Sequence, residues 1–104
     1  MPEWIPGRAL DAEIARLRGW FPVAAAPLWS TDEDEVGSLL AWLGKQEWFE
    51  GGSYDFVDGR WRFAIDGEAL NRAWFVGIHV TLSGALALAA REALAAMEKL
   101  NPAE

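Results

Sequence analysis

The densest group of chemically able side chains is Trp29-Ser30-Thr31-Asp32-Glu33-Asp34-Glu35, in which two hydroxyls and a run of acids precede the apolar stretch Val36 to Leu43. Carboxylates in such number can hold a divalent cation or share a proton in acid-base catalysis, provided that they converge on one point. On a helix adjacent acids splay, because successive residues lie about 100° apart around the axis. Their order fits a helix start instead. Ser30 and Glu33 have the S-x-x-E spacing of a capping box, Thr31 and Asp34 offer an overlapping one, and acids in a first turn oppose the positive end of the helix dipole. Val36, Leu39, Leu40 and Leu43 then form an apolar stripe, and Gly44 is the stop. The acids are read as helix-capping, and no metal site is expected.

Elsewhere the reactive inventory is thin. The chain has one histidine, His79, and no cysteine, which removes thiolate nucleophiles, disulfides and Cys-based metal sites. Glycine-rich phosphate loops, nucleophile elbows and H-E-x-x-H are all missing. A non-enzyme without a cofactor is expected. Tryptophan and arginine offer more. Seven tryptophans are more than a small core usually takes in, since each indole is bulky and its N–H wants a partner. Arg60, Arg62 and Arg72, with Trp29 and Trp61, could stack a base and pair a phosphate. His79, Thr81 and Ser83 precede or open the last helix, whose first amides suit an anion. Those residues are the candidate ligand-binding set. The plainer alternative has Arg60 and Arg62 solvating an outward face, Trp29, Trp48 and Trp74 covering the core edge, and His79 satisfied within its strand.

The elements that must position them follow from periodicity. Leu10, Ile14 and Leu17 share one helical face before Gly19, and "WFPVAAAPLW" is a connector expected to lay Trp20, Phe21 and Val23 on the core. From residue 46 the period becomes two. Asp58-Gly59 is a two-residue hairpin signal between "SYDFV" and "RWRFAI", which sends Trp61, Phe63 and Ile65 to one face and Arg60, Arg62 and Ala64 to the other. Gly51-Gly52 reads as a turn or bulge. "AWFVGIHV" reads as a central strand covered on both sides, with Val76 and Ile78 on one face and Gly77 and His79 on the other. Strand boundaries between 65 and 80 are left open. An alanine-rich helix capped by Thr81 or Ser83, with Leu86, Ala90, Ala93, Leu94 and Met97 buried, ends near Asn101-Pro102.

The fold class is therefore α+β: one domain, residues 1–104, built as an α/β/α three-layer sandwich. It has a small, mostly antiparallel sheet of three or four strands, two N-terminal helices and one C-terminal helix. A chain of 104 residues is long enough to bury such a core unaided. The net charge of −7 repels nucleic acid and anionic membranes, and no segment reaches the length of a membrane span, so a cytoplasmic protein is expected. Apolar aromatics in excess of the core predict a homo-oligomer.

The segments "GRALDAEIARLRGW", "PLWSTDEDEVGSLLAWL" and "HVTLSGALALAAREAL" resemble the phage α-β-α sandwich family, in order and spacing over nearly the whole chain. The resemblance rests on Gly7-Arg8, Leu10-Asp11, Gly19-Trp20, Pro27, Trp29-Ser30-Thr31-Asp32 and Thr81, and implies the sandwich fold and a phage origin; no activity comes with it. Together with the aromatic and arginine surplus it leads to one expectation, a phage-encoded, non-catalytic counter-defence sponge in the host cytosol. Such a protein would sequester a small nucleotide-derived immune signal in a pocket shared between subunits. The alternative is a protein-binding inhibitor or assembly module anchored by exposed tryptophans.

Overall fold

A computed structural model describes residues 4–67 and 74–100. Helix α1 (Arg8–Arg18) is followed by a short 3-10 turn (Val23–Ala25) and helix α2 (Glu33–Leu43). Strands β1 (Phe49–Val57), β2 (Arg60–Gly67) and β3 (Trp74–His79) come next, and helix α3 (Leu82–Leu100) is last. The strands form an antiparallel meander in the order β1-β2-β3. The α+β class and a three-layer arrangement stand, with three strands, two N-terminal helices and one C-terminal helix, but the layers run sheet, α3, then α1 with α2, so that α3 and not the sheet is in the middle.

The Asp58-Gly59 turn sets the sheet register. Both residues take left-handed backbone, φ 54° and 77°, the conformation that joins twisted strands with two residues. It pairs Val57 with Arg60, Phe56 with Trp61, Asp55 with Arg62 and Tyr54 with Phe63. "EWFE" and "SYDFV" run into one strand, with the irregularity between Phe49 and Gly51, so the paired glycines mark a bulge. On β2, Phe63 and Ile65 are buried while Arg62 is exposed, as the alternation requires.

α3 packs directly on β2 and β3, and α1 and α2 pack on the far side of α3. Ala85, Leu86, Ala87, Ala89, Ala90, Ala93 and Leu94 are all buried, which is burial around the helix rather than along one stripe, as suits the middle of three layers. Close approach is possible because β3 meets α3 at Gly77. A Cβ there would overlap the Ala85 carbonyl oxygen and lie 2.6 Å from the Ala89 nitrogen. On the other side of α3, Leu10 and Ile14 of α1, Trp29 of the linker and Val36, Leu39 and Leu43 of α2 complete the core.

With the helices on one side, the outer sheet face is left open among the described residues. β3 is an edge strand, and Val76 and Ile78 are exposed. The expectation of a central strand covered on both sides is thus corrected: the apolar run reflects one face packed on α3 and a second face that is apolar but bare. The connector differs too. Val23 packs against the core, but Phe21 is exposed and Trp20 only partly covered.

Candidate functional site

The acid cluster is resolved by its hydrogen bonds. α2 begins at Glu33, and its cap is Asp32, whose Oδ1 accepts from the Asp34 N–H at 2.8 Å. Glu33 and Asp34 are exposed, and among the described residues no three His, Asp or Glu side chains gather to hold a metal. Ser30 does not form the expected capping box. It is fully buried, and its hydroxyl accepts from the Gly7 N–H at 2.8 Å and donates to the Gly7 carbonyl at 3.2 Å. Its own N–H donates to Asp11 Oδ1 at 2.8 Å. Asp11 is as deeply buried, its Oδ2 has no partner, and burial pushes its carboxyl above the usual range against the pull of Ser30 and Arg8. This buried latch ties the start of α1 to the segment before α2. It accounts structurally for the Gly7, Asp11 and Ser30 positions of the sequence pattern.

The tryptophans are mostly used within the fold. Trp29 is fully buried, and its Nε1–H donates to Ser38 Oγ at 3.3 Å. Arg18 lies against three indoles, with its Cζ 5.1, 5.0 and 4.4 Å from the ring centroids of Trp20, Trp29 and Trp42. Arg91 lies over Trp4 at 5.3 Å. Guanidinium stacking of this kind satisfies a ring face that a small core cannot cover. The pairing of arginine with tryptophan was thus legible as chemistry but misplaced in the chain. Arg18 and Arg91 do the stacking, and among the described residues neither Arg60 nor Arg62 does.

The candidate ligand residues divide among three places. Trp61 and His79 are register partners on the sheet face toward α3, and Thr81 and Ser83 stand beside them at the start of α3. His79 Nδ1 accepts from the Thr81 N–H at 3.2 Å and lies 3.0 Å from Thr81 Oγ1. Thr81 Oγ1 in turn accepts from the Gly84 N–H at 3.1 Å, which makes Thr81 the helix cap. Ser83 is buried. At that helix start His79 and Thr81 are bonded to each other, and a Cβ at Gly84 would lie only 2.5 Å from His79 Nδ1 and 2.9 Å from Pro6 Cγ. Trp29 is sealed in the helical core, and Arg72 lies outside the described residues.

Arg60 and Arg62 occupy the third place, the bare outer face. Arg62 makes a two-point ion pair with Asp55 on the neighbouring strand, Nε to Oδ1 at 3.1 Å and Nη2 to Oδ2 at 2.7 Å. Two shallow, open depressions flank this pair. One, of about 450 Å³, is lined by Ser53, Tyr54, Asp55, Arg62, Ala64 and Val76. The other, of about 470 Å³, is lined by Val57, Asp58, Arg60, Arg62 and Ile78. Both have an aliphatic floor with charges of both signs at the edge. Sequence reasoning missed Asp55, Val57, Asp58, Val76 and Ile78 as part of this surface, although the Asp58-Gly59 turn already placed Asp55 opposite Arg62. Comparison with protein-family models, curated proteins and solved structures found no match.

Proposed function

We propose that the protein is a non-catalytic binding protein that works as an oligomer through its outer sheet face, holding a small anionic, nucleotide-like ligand in the depressions around Arg62. The observation that carries this reading is a bare face where Val57, Val76 and Ile78, exposed by 53, 40 and 50%, adjoin Arg60 and Arg62. The occupant of that face is a second copy of the chain. Arg60 and Arg62 stand there with Asp55 and Asp58, so a two-fold arrangement sets each guanidinium near the other copy's carboxylates, and like-charge repulsion is avoided where the apolar floor is buried. Enclosure between two sheets turns shallow depressions into a cavity of ordinary ligand size. The resemblance to phage α-β-α sandwich proteins supports the more specific reading of a counter-defence sponge in the host cytosol.

The test is to incubate the protein with a panel of cyclic di- and oligonucleotides, remove unbound material, and heat the protein to release what it holds. The reading expects one compound to be depleted and recovered intact, with depletion lost in Arg60→Ala/Arg62→Ala. Recovery of a cleaved product, or no depletion, contradicts it. A second reading, a protein-binding inhibitor, is favoured by the exposed rings of Tyr54 and Phe56 at the hairpin and replaces the exposed-tryptophan surface. It expects a stoichiometric complex with a host protein that Tyr54→Ser/Phe56→Ser abolishes while nucleotides leave the melting temperature unchanged.

A further inference from the structure

Arg18 is the last residue of α1, and the helix closes behind it through Gly19 in left-handed backbone. Three indoles from the linker and α2 surround its guanidinium at 4.4 to 5.1 Å. The Trp20 and Trp29 rings stand at 87° to each other, so the guanidinium can lie flat on no more than one of these two. No described carboxylate pairs with it, in a chain with sixteen acids. None of its side-chain nitrogens makes a hydrogen bond among the described residues, and none is sealed from solvent. Arg91 shows what the ordinary solution looks like: it lies over Trp4 and is also paired with Glu92 at 3.2 Å. Arg18 has the rings without the acid. Burial alone acts on its charge, lowering its affinity for the proton. Its N–H groups stay open to water and to an incoming acceptor.

We propose that Arg18, held among Trp20, Trp29 and Trp42, is a receptor for an oxyanion borne on an apolar carrier. The fork of a guanidinium held among these rings matches the two oxygens of a carboxylate or the oxygens of a phosphate. The carrier is set by the neighbours: Trp20 and Phe21 are exposed by 37 and 75% beside the site, so an aromatic or aliphatic group attached to the anion meets apolar surface. The site lies on α1, the linker and α2, none of which lines the sheet depressions, and its occupation is independent of what the sheet binds.

The experiment follows the Arg18 side-chain Nε–Hε signal by NMR while the intact protein is titrated with phenylacetate, phenyl phosphate or uncharged phenylacetamide. The expected result is a saturable shift with at least one anion, half-maximal at about a millimolar for so small a probe, no shift with the amide, and no movement of the Arg91 signal. Whichever anion binds tighter identifies the source as carboxylate or phosphate. Arg18→Lys keeps the charge but not the fork, and should weaken binding, read from the tryptophan indole signals, by about tenfold or more. No saturable shift with either anion, equal binding of the amide, or undiminished binding by Arg18→Lys overturns the proposal. A purely structural role for Arg18 predicts the first of these.

Discussion

The two sides of α3 are finished differently. Toward α1 and α2, polar and aromatic groups are tied to one another: Ser30 to Gly7 and Asp11, Trp29 to Ser38, and Arg18 to three rings. On the sheet side, α3 covers only the inner face, and the outer face ends in exposed valine and isoleucine. A small domain can leave apolar residues uncovered singly at little cost, but a contiguous set beside paired charges marks a contact. The difference is what motivates the proposal that the outer sheet face meets a second copy of the chain.

Neighbouring residues of β3 give the sharpest way to break that comparison. Gly77→Val drives a side chain into the backbone of α3 at Ala85 and Ala89. It should cost about 3 kcal/mol or more, read as a large fall in the urea midpoint or as failure to fold. Ile78→Thr, one position on, points to the bare face and should change the stability of the monomer by no more than about 0.5 kcal/mol. Equal effects would mean that the outer face is covered.

Next in size is the latch. Asp11→Ala leaves the buried Ser30 N–H without its acceptor and should cost about 1–3 kcal/mol in chemical denaturation. Asp11→Asn sharpens the point through pH. Because burial raises the folded carboxyl above its unfolded value of 3.8, the folded state holds this proton more tightly. The contribution of Asp11 to stability is therefore greatest below pH 3.8 and declines as pH rises through the raised folded value. Asparagine, which does not titrate, should flatten that decline. A stability profile from pH 3 to 7 that is identical in the two proteins would contradict the assignment.

The smallest effect belongs to the exposed Asp55–Arg62 pair, both members of which are near half exposed. Asp55→Ala should change stability by no more than about 0.5 kcal/mol, while changing whatever the depressions bind. A loss several times larger would make the pair structural.

How much was legible follows the range of the interactions. The hairpin register, the division of Trp61, Phe63 and Ile65 from Arg60 and Arg62, and Thr81 as a cap are set within a few residues, and the sequence carries them. Ser30 looked like a cap because its spacing to Glu33 is local. Its actual partners, Gly7 and Asp11, are 23 and 19 residues away. Likewise, an apolar strand such as Trp74–His79 does not announce whether its second face meets a helix. Arg18 could not be assigned to Trp42 without knowing that the ends of α1 and α2 meet. The candidate site was half legible: Arg60 and Arg62 were placed on one face, but Trp29 is sealed in the core and His79 lies on the opposite sheet face.

Sedimentation equilibrium of the wild-type protein and Ile78→Asp tests the central claim most directly. If the bare sheet face is the working surface between copies, the wild type has the mass of a dimer or larger at micromolar concentration, and Ile78→Asp is a monomer with unchanged helix content. A monomeric wild type, or an Ile78→Asp variant that assembles as the wild type does, would contradict it.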